Sequence, residues 1–365
     1  MIQRLFFVTV LLLGLSGSAW AQLTIDELVA QAGLKQGPVA MRDRPGWDGT
    51  GKIIVRDIGV SLAGIQQHFD DANLVVVTSL EQALTHAEDA GAVIGYFNDE
   101  LLAAAPRLTW VQIFSSGAER CLESSRIGNG EVVLTNMQKM SSPVIGEHAI
   151  ALMLALGRNL PQFAGAMEQG RWSRGADHTG GMTTVAGKTM LVLGLGGIGT
   201  EVAKRGNALG MRVVGTRNSS RQGPDFVDYV GLSDEMLELA EQAQVVVNAL
   251  PLTDATRGLI AAEFFAAMPQ GSYFINVGRG ATVNTDDLLK ALSSGRLAGA
   301  GLDVTDPEPL PSDHALWSMD NVIITPHVSG RGGDRQRHGL LMMENIRRYI
   351  AGEALLNVVD PNKGY

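Results

Sequence analysis

Three polar residues stand just past short apolar runs: Arg279 after FINVG, Asp303 after AGAGL and His327 after NVIITP, with Glu308 five residues beyond Asp303. If those runs are parallel strands, their carboxyl ends share the rim where open α/β sheets bind ligands. A guanidinium, an imidazole and a carboxylate can then converge on one small molecule. Such a set suits hydride transfer coupled to proton transfer. Reducing a ketone builds negative charge on the carbonyl oxygen, which needs a proton donor and a nearby cation. His327 can give the proton, while Glu308 orients its ring and favours the charged form. Arg279 can polarise the carbonyl and clamp a carboxylate on the neighbouring carbon. Taken singly, each residue also has a plainer use as surface charge, loop solvation or strand-end hydrogen bonder.

A hydride must come from a cofactor, and the sequence carries a candidate cradle for one. The run TMLVL leads into Gly194-Leu195-Gly196-Gly197-Ile198-Gly199, followed by helix-compatible sequence to Leu209. Glycines at the first, third and sixth positions permit the tight turn, the close approach of a pyrophosphate and the packing of helix on strand. The helix start then offers free N–H groups to the anion. A site built for NAD would place Asp or Glu at the end of the next strand, on the ribose hydroxyls. Here that strand, RVVGT, ends in Arg217-Asn218-Ser219-Ser220-Arg221, with no carboxylate. A guanidinium with hydroxyl neighbours suits a 2′-phosphate, so NADP is expected over NAD. The bland alternative is that Arg217 and Arg221 are solvated surface.

The elements that must hold these residues read as two series of buried strands. The first covers 52–57, 73–78, 92–97, 110–114 and 131–135; the second covers 189–194, 212–216, 244–250, 272–277, 297–302 and 321–325. Helix-compatible segments separate them, so the fold class expected is α/β, with two doubly wound parallel-sheet domains. Between the series, 142–170 reads as one long helix with Pro143 in its first turn. Residues 335–354 read as a last helix, its Met342 and Met343 packing on a core. Residues 171–182 read as an exposed loop.

Composition narrows the classes further. With 38 acidic against 29 basic side chains, the chain lacks the basic footprint of a nucleic-acid binder. Cys121 is the only cysteine, which excludes an intrachain disulfide and leaves small core filler as its use. His68, His86, His148, His178, His314 and His338 lack metal-ligand spacing, so they are read as structural or surface residues and no metal is expected. The first residues combine Arg4, an apolar run from Leu5 to Leu15 and Ala19-Trp20-Ala21, the pattern of a signal peptide over 1–21. The run is too short to span a bilayer, and no twin-arginine pair precedes it. A periplasmic or secreted mature protein beginning at Gln22 is therefore expected, with no membrane segment after cleavage. A start site placed too far upstream would instead leave a cytoplasmic protein.

Together these motifs resemble the D-isomer-specific 2-hydroxyacid dehydrogenases. The resemblance covers nearly all of the mature chain. It is densest in Gly194–Gly199, in Asn248-Ala249-Leu250-Pro251-Leu252-Thr253, in Asn276-Val277-Gly278-Arg279-Gly280, in Leu302-Asp303-Val304 with Glu308, and in Thr325-Pro326-His327. It implies an NAD(P)-dependent oxidoreductase acting on a small 2-ketoacid or D-2-hydroxyacid, similar to glyoxylate/hydroxypyruvate reductases. Arg279 would bind and polarise substrate, His327 would be the acid/base and Glu308 its partner. Asp303 would be structural or on the cofactor side. Leu250, Pro251, Thr253, Val277, Gly278 and Ile198 would border the cofactor with the glycines, Arg217, Asn218, Ser219 and His327. The loop Phe114–Glu119 resembles the family's substrate loop, with backbone N–H groups of Ser115, Ser116 and Gly117 on the substrate carboxylate. A flavodoxin-like substrate domain of residues 22–138 and 331–365 would enclose an inserted Rossmann domain of residues 139–330, in a homodimer. Glu308 stands where the formate-oxidising branch has glutamine, which disfavours that branch. Arg217 and the export signal depart from the family's pattern. The signal suits a competing reading, an exported binding or regulatory protein that keeps the fold without turnover, because nicotinamide cofactor is scarce outside the cytoplasm.

Overall fold

The computed structural model describes residues 23–57, 69, 73–172, 174, 181–218 and 220–363. The signal segment 1–21, together with Ser219, His68 and His178, lies outside the described residues. The chain divides into two compact units, residues 1–140 with 334–365, and residues 141–333.

The first unit is built on a five-stranded parallel sheet: β1 (Lys52–Arg56), β2 (Leu74–Val77), β3 (Ala90–Ile94), β4 (Trp110–Gln112) and β5 (Val133–Thr135), in spatial order 2-1-3-4-5. That is the flavodoxin-like order. Successive side chains of β1 enter opposite cores: Ile53 and Val55 join Trp110, Leu341 and Ile346, whereas Ile54 joins Val93, Leu101 and Val111. A strand buried on both faces must be apolar along its buried stretch, as Ile53-Ile54-Val55 is. The helix Arg335–Ile350 supplies the first of these cores, with Leu341, Met342 and Ile346 fully buried and Met343 packed at its margin. Cys121 is buried in the second core, where burial pushes its thiol up to about 11, an inert filler.

The second unit carries β6 (Thr189–Leu193), β7 (Arg212–Thr216), β8 (Tyr229–Gly231), β9 (Val245–Asn248), β10 (Ser272–Asn276), β11 (Leu297–Leu302) and β12 (Val322–Ile324). All pairings are parallel, in the order 12-11-10-9-6-7-8. The order reverses between β6 and β9, and this switch point opens a crevice at the strands' carboxyl ends. Gly299 and Gly301 make β11 possible: a Cβ would lie 2.7 Å from the Asn321 carbonyl oxygen in one case and 2.9 Å from Leu152 Cβ in the other.

Two expectations need correction. The segment 142–170 is not one helix but two, Ser142–Gly157 and Leu160–Glu168. Pro161 cannot donate to the ladder and its ring crowds the carbonyl four residues back, while Asn159 turns the chain through a left-handed φ of 52°. Strand β8 was absent from the expected set, because Val230 is its only buried apolar side chain and Tyr229 and Gly231 on either side break any apolar run.

Candidate active site

The glycine loop shows what each glycine is for. Gly194 turns at φ 87°, and a Cβ on Gly199 would lie 2.1 Å from the Gly194 carbonyl oxygen, so the helix Gly197–Ala208 packs on β6 only if position 199 is glycine. Gly196 is different. A Cβ there would meet nothing within 4 Å, which leaves an open approach to the backbone at the helix start. Gly197 and Ile198 form the first turn, whose N–H groups face outward along the helix axis. These residues fit a dinucleotide pyrophosphate.

At the end of β7 the Arg217 N–H donates to the Gly231 carbonyl at 3.0 Å, anchoring the backbone. Its side chain is half-buried, and Nε is buried with no hydrogen-bond partner among the described residues. A buried unpaired guanidinium N–H is costly, so this group fits an incoming anion. Asn218 is exposed and accepts from Ser233 Oγ at 3.4 Å. Arg221 is committed elsewhere: it pairs with Glu235 at 2.6 Å and with the Tyr229 hydroxyl at 2.8 Å. Its side chain is 53% exposed, so for Arg221 the solvated-surface reading holds, with an ion pair added.

Arg279 stands on a buried polar frame that sequence reasoning did not assign. Asn248 Nδ2 donates to Asn276 Oδ1 at 2.9 Å and to Thr282 Oγ1 at 2.8 Å, and Thr282 Oγ1 donates to the Arg279 carbonyl at 2.7 Å. Asn276 Oδ1 also takes the Gly278 N–H at 3.1 Å, and Asn248 Oδ1 takes the Leu250 N–H at 3.2 Å. One side-chain network therefore sets the loops after β9 and β10 together. Their closeness explains Gly278, whose Cβ would lie 2.8 Å from the Leu250 carbonyl oxygen. Val277 is buried beneath, Pro251 is half-buried, and Thr253 is turned by Thr256 Oγ1, which accepts its N–H at 2.8 Å. The Arg279 guanidinium donates from Nη1 to the Gly278 carbonyl at 2.9 Å.

His327 and Glu308 meet: Nδ1 lies 2.7 Å from Glu308 Oε1, with about half of each side chain exposed. A carboxylate oxygen accepts, so Nδ1 carries the hydrogen and Nε2 is the ring nitrogen left for chemistry. The histidine backbone is left-handed, φ 52°, a conformation costing about 1–3 kcal/mol that surrounding contacts must fix. Its N–H donates to the carbonyls of Asp303 at 2.8 Å and Thr325 at 2.9 Å. Asp303 is 1% exposed, and its carboxylate accepts from Thr325 Oγ1 at 2.7 Å, Val328 N–H at 2.9 Å and Ser329 N–H at 3.0 Å. Burial raises its pKa, but donors from Ser329, Thr325 and Val328 outweigh this and hold the carboxyl below its usual range. Asp303 thus anchors the turn that carries His327. Ser115, Ser116 and Gly117 belong to the first unit, on the loop after β4, where Ser115 Oγ donates to the Gly117 carbonyl at 2.8 Å and Asn136 Nδ2 to the Ser116 carbonyl at 2.7 Å.

Residues 150–329 match the model of the D-isomer specific 2-hydroxyacid dehydrogenase NAD binding domain. Glyoxylate/hydroxypyruvate reductase B of Pectobacterium carotovorum is 32% identical over 302 residues, 82% of this chain and 94% of that protein. The chain belongs to the D-isomer-specific 2-hydroxyacid dehydrogenase family. An uncharacterised protein of Corynebacterium melassecola is 42% identical over 179 residues, 49% of this chain and 59% of its own length. The chain thus spans only about half of some curated relatives, 59% of that one and 44% of a D-3-phosphoglycerate dehydrogenase. Among solved structures, a family member of Xanthobacter autotrophicus in complex with NADPH and MES superposes with a TM-score of 0.73 at 28% identity, covering 87% of this chain and 100% of that one.

Proposed function

We propose that the protein is an NADPH-preferring reductase of small 2-ketoacids, of the glyoxylate/hydroxypyruvate kind. The observation that carries the reading is the His327–Glu308 pair at 2.7 Å, on the same strand-end rim as Arg279 and the glycine loop. When bound, the reduced nicotinamide supplies a hydride to the keto carbon. His327, oriented through Nδ1 by Glu308, gives the Nε2 proton to the carbonyl oxygen as charge develops there. Arg279 polarises that oxygen and grips the neighbouring carboxylate. Backbone N–H groups of Ser115, Ser116 and Gly117 keep their assignment to the substrate carboxylate. The glycines and helix start hold the pyrophosphate, with Leu250, Pro251, Thr253, Val277 and Gly278 bordering the cofactor. Arg217, beside Asn218 and Ser219, holds the 2′-phosphate. The relatives named for glyoxylate and hydroxypyruvate reduction, and the neighbour holding NADPH, support the substrate class and the cofactor. The reading extends to a homodimer in the periplasm or outside the cell, and the exposed Leu160, Met167 and Trp172 offer apolar surface for a second copy.

The test is a steady-state screen of purified protein with NADPH and NADH against glyoxylate, hydroxypyruvate, pyruvate and bulkier 2-ketoacids. His327→Ala should lower kcat by about 100-fold while leaving NADPH binding in place. Arg279→Lys should also lose activity, because an ammonium cannot reproduce a two-pronged carboxylate contact. Wild-type rates in both variants would sink the assignment.

A further inference from the structure

A proton donor works only if its ring is held in one place, and the hydrogen bonds that hold His327 extend one step beyond Asp303. Thr325 Oγ1, which sits 2.7 Å from Asp303 Oδ1, also lies 2.9 Å from Nε2 of His148. His148 is on the helix Ser142–Gly157, a different element from the loops after β11 and β12 that carry Glu308 and His327. Its side chain is 24% exposed, and Nε2 lies 3.7 Å from Asp303 Oδ1, too far for a direct hydrogen bond.

The direction of the chain follows from the number of protons available. Asp303, held below the usual carboxyl range, is an acceptor only. Thr325 has one hydroxyl proton, and the carboxylate takes it. The remaining contact requires Thr325 Oγ1 to accept, so Nε2 of His148 must carry a hydrogen. His148 thereby fixes which way the Thr325 hydroxyl points. A hydroxyl free to rotate would leave Asp303 Oδ1 with the Val328 N–H alone. We infer that His148 is a positioning residue for His327, acting through Thr325 Oγ1 and the Asp303 carboxylate. The inference rests on the reading of His327 as the proton donor.

The experiment combines spectroscopy with kinetics on the full-length chain. With 15N-labelled histidine, long-range 1H–15N correlation should show hydrogen on Nε2 of His148. The backbone amide signals of His327, Val328 and Ser329 should move in His148→Ala and in Thr325→Val, and return in His148→Gln and Thr325→Ser. Glutamine places an amide N–H near the Nε2 position, so it restores the donor without the ring. With glyoxylate and NADPH, kcat should fall about 10-fold in His148→Ala, with KM and NADPH affinity within about twofold, and recover to within about threefold in His148→Gln. Thr325→Val should match His148→Ala, and the double variant should be no worse than either, because both cut one chain. A bare Nε2 on His148, three amide signals unmoved in His148→Ala, or a loss as deep in His148→Gln would each overturn the inference. The amide measurement needs no substrate. A wild type inactive on 2-ketoacids would overturn the reading of His327 as donor, and with it this role for His148, even where the amide signals respond.

Discussion

Arg217 is the side chain on which we expect the choice between two cofactors to turn. Its Nε is buried and unpaired among the described residues, at the strand end where an acid would accept ribose hydroxyls. A charge-assisted contact of about 1.5–3 kcal/mol to a 2′-phosphate gives roughly 10- to 100-fold discrimination for NADPH over NADH. Fluorescence titration checks this: Arg217→Ala should weaken NADPH binding by that factor and leave NADH nearly unchanged. Equal wild-type affinities would end the preference. Asp303 makes a different prediction, on stability. Its folded pKa is depressed, so its contribution is fully present above the ordinary carboxyl value of about 3.9 and is lost as pH falls through the lower folded value. Asp303→Asn should cost about 2–3 kcal/mol near neutrality and flatten the acid limb of a Tm-versus-pH curve; an unchanged acid limb would show the carboxylate is not a stabilising anchor. Arg279, Asp303, Glu308 and His327 were legible in the sequence because polar residues just past apolar runs betray the rim of a parallel sheet. The roles of His148 and Thr325 were not, because each acts through a hydrogen bond to a residue tens to more than a hundred positions away, which leaves no local pattern.

At the scale of elements, the glycine loop separates two demands that the motif alone runs together. Gly199 is needed by the fold: a Cβ would lie 2.1 Å from a backbone carbonyl oxygen, and neither the strand nor the helix can yield. Gly196 is not demanded by its own protein surroundings, which leave it open, and we expect the cofactor to need it. Gly199→Ala should therefore lower Tm by several degrees or prevent folding. Gly196→Ala should keep Tm without cofactor and lose most of the stabilisation that added NADPH confers. Thermal unfolding with and without NADPH checks both, and equal behaviour of the two variants would contradict the division. The strands were the most readable elements because a parallel sheet covered on both faces demands near-continuous apolar runs. Even LAGAGL, the faintest of them, is β11, its small residues answering the close packing of the helix Ser142–Gly157. Periodicity misled where apolar spacing continued through a break, at Asn159 and Pro161. It was silent at β8, where Tyr229 pairs with Arg221 and Glu235 at the sheet's edge rather than entering a core.

At the scale of the molecule, the second unit is one continuous segment, whereas the first is assembled from both sides of it. The first unit's core is incomplete until Leu341, Met342 and Ile346 of the helix Arg335–Ile350 are in place. Those residues come about 200 positions after β5. Residues 1–21 have the pattern expected of a signal peptide, with Arg4, the apolar run and Ala19-Trp20-Ala21. We therefore expect the full gene product to be cut before Gln22, to cross the membrane unfolded, and to complete both units on the far side. Fractionation of expressing cells followed by N-terminal sequencing should find Gln22 first in the extracytoplasmic fraction. Changing Ala19 and Ala21 to bulky residues should leave an uncut, membrane-associated precursor, because the cleavage site accepts only small side chains there. An intact Met1 on soluble protein, or a cytoplasmic form beginning downstream with NADPH bound, would overturn export and leave the reductase reading in place.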